Sequence, residues 1–179
     1  MISIAQPLYG VHLLQPKIFN DHRGNFIKTY HSYTFEDLGI SFTPQEEFIS
    51  TSHKGVLRGM HFQLPPHDHA KLVFCISGRV LDVLLDLRRE SPTYGQTASA
   101  ELSGENHLQF YLPKGIAHGF LSLEDNSVMV YKSSSVHSPS HDTGIAWNSF
   151  GYSWPNTENI IMSERDSTFV KLSQFVSPF

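Results

Sequence analysis

The feature that most narrows the choice of fold is a succession of short β-patterned runs with turn residues between them. The clearest are Phe48 to Ser52, Val56 to Gln63, Lys71 to Ser77, Arg79 to Asp86, Thr97 to Leu102, His107 to Leu112 and Val128 to Ser135. Ser91-Pro92-Thr93-Tyr94-Gly95, Gly104-Glu105-Asn106 and Pro113-Lys114-Gly115 punctuate them, and Ser77-Gly78 reads as a tight hairpin. Upstream, Leu13-Leu14 runs to Pro16, and Asn20-Asp21 with Gly24 marks a turn into Phe26 to Tyr30. Helical patterns are few and short: Thr34 is placed to cap a helix ending at Gly39, and Ser163 is placed to start another. Strands at this spacing favour an antiparallel sandwich or barrel over an alternating α/β fold. The expected organisation is all-β, one domain over 1–179, with a barrel core at about 45–137, an N-terminal arm and a C-terminal helical tail.

Composition closes off several classes of function. With 40% hydrophobic and 17% charged residues the chain has the material for a core, and a formal charge of -4 without a basic run argues against a nucleic-acid surface. No stretch is apolar for long enough to span a bilayer, and the start lacks a basic-then-apolar leader, so a cytoplasmic setting is expected. The single cysteine, Cys75, sits in the apolar run Lys71 to Ile76 and is expected to pack as a small core residue.

Chemistry concentrates in Arg58-Gly59-Met60-His61-Phe62-Gln63. Strict alternation puts Val56, Arg58, Met60 and Phe62 on one face and Leu57, Gly59, His61 and Gln63 on the other. Gly59 then leaves open space beside the His61 imidazole, which suits a ligand. In the run that follows, parity groups His69, Lys71 and Val73, so a base and a cation converge from neighbouring strands.

Pro113-x-Gly115-x-x-His118 in a β-rich chain resembles the second signature box of the cupin barrel, a double-sheet jelly roll. A longer series resembles the nucleotide-sugar 3,5-epimerases typified by dTDP-4-dehydrorhamnose 3,5-epimerase. It comprises Phe19-x-Asp21-x-Arg23-Gly24, Gly55 to Gln63, Lys71-Leu72-Val73, Gly78 to Val83, Asp86 to Gly95, Leu102 to Asn106, Pro113 to Phe120, Tyr131-Lys132, Gly144 to Asn148 and Trp154-Pro155. The resemblance implies a cofactor-free and metal-free cupin-type barrel, usually a homodimer, acting on a 4-keto-6-deoxy sugar carried by a nucleoside diphosphate. By the same resemblance His61 matches the base, Asp166 the carboxylate that orients it, Tyr131 the acid on the opposite face, and Lys71 and His118 the groups near the carbonyl and phosphates. Arg23 and Arg58 match pyrophosphate and substrate contacts, where a guanidinium fork suits phosphate oxygens. Phe19 and Phe26 are candidates to border the nucleotide, and Asp142 and Arg165 are counted with the substrate contacts.

This sequence departs from the family's pattern at four of its contact positions. Glu46 and Phe48 stand where the pattern has a glutamine and an asparagine, Lys28 where it has a base-reading glutamate, and His137 where it has a tyrosine stacked on thymine. Lys28 only donates hydrogen bonds, whereas glutamate accepts the imide hydrogen of thymine, so the change favours cytosine, whose ring nitrogen accepts. Rival readings are therefore a CDP-sugar epimerase, an enzyme inverting one carbon, and a non-catalytic sugar-nucleotide binder. A metal oxygenase is a further rival, because His67-x-His69 with His118 has metal-ligand character. Against it, the glutamate expected a few residues on is missing, and Lys71 would repel a divalent ion. Asp166 also has a plain structural account: Ser163-x-x-Asp166 has the form of a helix capping box.

Overall fold

A computed structural model describes residues 1–179. The N-terminal segment supplies β1 (Ile2–Ala5), β2 (His12–Gln15), the pair β3 (Ile18–Asp21) and β4 (Gly24–Ile27), and the helix α1 (Ser32–Asp37). Then come β5 (Glu46–Ser52), β6 (Leu57–Gln63), β7 (Lys71–Ser77), β8 (Arg79–Asp86), β9 (Thr97–Ser103), β10 (Gln109–Leu112), β11 (Ile116–Ser122) and β12 (Ser127–Ser133). A short β13 (Asp142–Gly144) and the single-turn α2 (Glu164–Ser167) follow. The long strands form two antiparallel sheets, one in the order β1-β2-β10-β7-β12-β5 and the other β13-β6-β11-β8-β9. No helix is long and apolar enough to cross a membrane.

Apolar packing explains the layering. Val73 and Cys75 from β7 and Met129 and Tyr131 from β12 meet Val80, Leu84, Leu102 and Phe120 from the other sheet, forming the core between them. Cys75 is buried there. β8 is apolar on both faces because both are covered: Val80 and Leu84 point inward, while Val83 and Leu85 pack outward. The outward layer joins Leu57, Met60 and Phe62 to Ile145, Trp154, Phe175 and Phe179, so the C-terminal tail is a lid on the five-stranded sheet. Phe35, Ile40 and Phe42 cover the outer face of the six-stranded sheet against Leu72, Phe74 and Val130. Each such side chain contributes on the order of 2 kcal/mol when fully buried.

Three local expectations are corrected. Ser77-Gly78 is not a hairpin: β7 and β8 lie in different sheets, and the turn carries the chain across the sandwich. Gly78 takes φ +70 there, and an added Cβ would run into Ser127. Helix α1 starts at Ser32 with His31 at its N-cap position, and Thr34 lies inside it; only the end at Gly39, φ +73, is as expected. The sheets also draw in strands outside 45–137, since β2 pairs with β10, and β13 pairs with β6. Strand β13 gave no signal in the sequence, because three residues are too few to show a period.

Candidate active site

The inside of the sandwich opens into a cavity of about 360 Å³. Its shape depends on an irregularity in β6. His118 of β11 stands opposite His61 and Phe120 opposite Arg58, so Gly59 and Met60 together face Gly119 alone. This bulge shifts the alternation by one residue. Arg58 and His61 consequently both line the cavity, while Leu57, Met60 and Phe62 turn outward into the tail-covered layer. The strict parity that separated Arg58 from His61 is thus overturned. So is the reading of Gly59 as open space for a ligand, because a Cβ on Gly59 would lie 2.5 Å from the Gly119 Cα. The two glycines let the strands touch.

His61 Nε2 lies 2.9 Å from Asp166 Oδ2, and the same oxygen accepts the buried Gly59 N–H at 3.0 Å. Asp166 is 3% exposed, behind the imidazole rather than in the cavity. Ser163 caps α2, its hydroxyl accepting the Asp166 N–H at 3.1 Å, so the capping account and the contact with His61 hold together. Burial alone would raise the Asp166 carboxyl, but the hydrogen bond and charge of His61 and the Gly59 N–H outweigh it and hold it well below the usual range. Burial lowers His61, against the pull of Asp166. An ionised carboxylate accepts, so Nε2 carries the hydrogen and Nδ1 keeps its lone pair. Phe169 meets the imidazole edge-on at 5.6 Å.

The facing sheet supplies Tyr131 and Lys71, and the sheet that carries His61 also supplies His118, Asp82 and Asp142. Tyr131 of β12 hydrogen-bonds through its hydroxyl to Ser50 at 3.1 Å, and its ring stacks on Phe48, 4.7 Å between centroids and 11° between planes. Burial pushes the phenol far up, so it stays protonated. Lys71 at the start of β7 is 8% exposed, and its ammonium reaches the His61 carbonyl at 3.5 Å. Burial brings it down to about 8, partly offset by Asp142 and Asp82. His118 Nε2 pairs with Asp82 at 2.7 Å, and burial raises the Asp82 carboxyl. At the rim, Glu46 accepts the His137 backbone N–H at 2.7 Å, and Asp142 is held by Arg165 at 2.5 Å and by His137 Nε2 at 3.3 Å.

His61, Lys71, Tyr131, Glu46, Phe48, Arg58, His118, His137, Asp142 and Arg165 therefore line one cavity. Phe19, Arg23, Phe26 and Lys28 do not. They belong to the β3–β4 arm or its exit, a separate two-stranded sheet, where Arg23 forks onto Asp21 at 2.6 Å. Sequence reasoning missed Asp82, Ser50 and Gln63. Asp82 had a signal, being a carboxylate in phase with the inward Val80 and Leu84. His69 also lines the cavity, where Gln63 lies 3.0 Å from its Nδ1 and burial, aided by Lys71, lowers it to about 3. Nowhere do three His, Cys, Asp or Glu side chains gather into a set able to hold a metal ion.

The fold is a jelly roll of cupin type, and a cavity with a neutral imidazole on one wall, a protonated phenol on the other and an ammonium nearby is equipped for moving protons. The family model for dTDP-4-dehydrorhamnose 3,5-epimerase matches residues 5–174. The enzyme of that name from Salmonella typhimurium is 41% identical over 177 residues, 97% of each chain. Among solved structures, the dTDP-6-deoxy-D-glucose-3,5-epimerase of Legionella pneumophila, in complex with dTDP-4-keto-L-rhamnose, superposes with a TM-score of 0.93 at 34% identity, covering 98% of this chain and 94% of that one. A 3'-monoepimerase from Streptomyces bikiniensis, in complex with dTDP-quinovose, superposes at 0.88 with 30% identity, covering 94% and 86%. The chain belongs to the dTDP-4-dehydrorhamnose 3,5-epimerase family, a family of carbohydrate isomerases.

Proposed function

We propose that this protein epimerises C3, C5 or both of a nucleoside-diphosphate 4-keto-6-deoxy-hexose, without a redox cofactor, in the making of deoxysugars. The observation that carries this reading is that His61, backed by Asp166, and Tyr131 come from opposite sheets and face one cavity. The C4 ketone makes the neighbouring C–H bonds acidic. His61 Nδ1 removes a proton from one face, and the electron pair moves onto O4 as an enolate beside the Lys71 ammonium. The Tyr131 hydroxyl then gives a proton to the same carbon from the other face, inverting it. Solvent restores both groups, so atoms and charge balance with no net oxidation.

Arg58 and His118 are placed to hold the phosphates and the sugar, with Glu46, His137, Asp142 and Arg165 at the rim. The arm residues Phe19, Arg23, Phe26 and Lys28 stand away from their own cavity, with Phe19 47% and Phe26 59% exposed. This supports a homodimer in which each arm reaches the nucleotide at the partner's cavity. A charged nucleotide sugar does not cross a membrane unaided, in keeping with a cytoplasmic setting.

A second reading, inversion of one centre only, is favoured by the Phe48 ring lying flat on Tyr131, which restricts how the phenol swings between carbons. Proton NMR of dTDP- and CDP-4-keto-6-deoxyglucose, each incubated in deuterated water with the enzyme, tests both. Deuterium entering C3 or C5, with inversion, supports the activity, and its distribution counts the centres. No deuterium at either carbon with either nucleotide would refute it.

A further inference from the structure

At the cavity rim, Arg165 and Asp142 form a charged chain onto Asp166, and these two residues the proton-transfer scheme leaves unused. Arg165 donates through Nε to Asp166 Oδ1 at 3.3 Å and through Nη1 to Asp142 Oδ2 at 2.5 Å. Its guanidinium also lies 5.5 Å from the Phe169 ring centre, and Phe169 is the ring that packs edge-on against His61. A closed circuit results: His61, Asp166, Arg165, Phe169 and back to His61. Asp142 anchors it from β13, whose pairing with β6 sets Gly144 opposite His61 and Asp142 opposite Gln63.

We propose that Arg165 and Asp142 are a positioning pair that fixes the Asp166 carboxylate and sets the proton affinity of His61. The geometry favours this over simple capture of substrate phosphate, because two of the guanidinium's donors are already committed to carboxylates. A cation on Asp166 draws the carboxylate's charge away from the imidazole and makes the imidazolium less stable, whereas Asp142 draws the cation back. The directions agree: burial lowers His61, Asp166 raises it, and Arg165 adds to the lowering. Other charged and titrating groups also face His61, and of these Lys71 and His137 feel Asp142 directly, so Arg165→Met is the cleaner of the two perturbations. These groups are Lys71 from β7, Arg58 from its own strand, His118 with Asp82 from β11 and β8, Tyr131 from β12, and Glu46, His69 and His137 at the rim.

This positioning role rests on His61 acting as the base, yet its test does not depend on that assignment. The His61 ring proton is followed by NMR against pH in the substrate-free enzyme, with the resonance assigned by its loss in His61→Asn. Arg165→Met is expected to raise the His61 midpoint by about half a unit, roughly threefold in proton affinity, the exposure of Arg165 limiting the effect. Asp142→Asn is expected to lower it, and Arg165→Lys to return it close to the unaltered value. Opposite shifts from two neighbours are not what simple loosening of the fold gives. Superimposable titrations in Arg165→Met and Asp142→Asn, or shifts of the same sign, overturn the proposal. Because the ring itself is read, the outcome holds even if His61→Asn keeps its exchange activity and the base assignment fails.

Discussion

Gly59→Ala isolates the contact on which the cavity's geometry depends. Gly59 has φ +128, a region that costs an L-residue roughly 1–2 kcal/mol, and its new Cβ would lie 2.5 Å from Gly119 Cα and 2.8 Å from the His118 carbonyl oxygen. Both neighbours are backbone and cannot rotate aside. Reaching ordinary contact, which begins at 3.4 Å, requires β6 and β11 to part by roughly 0.9 Å. Overpacking of this kind costs about 1–3 kcal/mol, so the total comes to about 3 kcal/mol, or roughly 6–12 °C in melting temperature for a domain of this size. The same shift carries the Gly59 N–H away from Asp166 and displaces His61, and a misplacement of about 1 Å costs roughly a hundredfold in rate. Gly39→Ala is the control: φ is +73 and nothing lies within 4 Å, so it bears the backbone cost alone, about 1 kcal/mol. Calorimetric melting and the deuterium-exchange rate are measured for both variants. Equal melting temperatures with undiminished exchange in Gly59→Ala would refute the reasoning.

Asp166→Asn is expected to fold, since Ser163 caps through the backbone N–H, but to lose roughly three orders of magnitude in turnover because an amide neither holds the tautomer nor balances the imidazolium. Tyr131→Phe is expected to keep hydrogen exchange while losing inversion: His61 still takes the proton and returns it to the same face, which NMR distinguishes from product formation. The pH dependence of Lys71 follows from its lowered value of about 8: free-enzyme kcat/KM falls as pH rises through that point, and the residual activity of Lys71→Gln lacks this limb. Linkage has the opposite sign. Between about 8 and 10.5 the unfolded chain holds the Lys71 proton more tightly than the folded one, so this group's contribution to stability rises with pH, as urea titrations across that window read.

The sandwich was legible because most of its long strands are apolar or alternating runs bounded by glycine, proline or serine, although β11 was not read as a strand. β7 and β8 fall where the pattern places them, at Lys71–Ser77 and Arg79–Asp86. Their partners were not legible, since Ser77-Gly78 makes the same local turn whether the chain returns in one sheet or crosses to another. That choice is decided by the distant pairings of β7 with β10 and β12. The bulge at Gly59 was hidden for a related reason: alternation assumes one residue per position, and only the facing Gly119 reveals that two share it. Among the site residues, His61 and Lys71 were readable as a base and a cation in β-patterned runs, whereas Tyr131 entered only through the family resemblance. Asp82 was masked by its apolar run, and the distance of Phe19, Arg23, Phe26 and Lys28 from the cavity is a property of the arm's path, which no local pattern encodes.

The most direct test places the enzyme and its His61→Asn variant with a 4-keto-6-deoxy nucleotide sugar in deuterated water and follows the hydrogens beside the ketone. The account predicts that the unaltered protein washes them out and the variant, still folded, does so at no more than the solvent background. Undiminished washout by the folded variant would mean that some other group lifts the proton, and the central claim would fail.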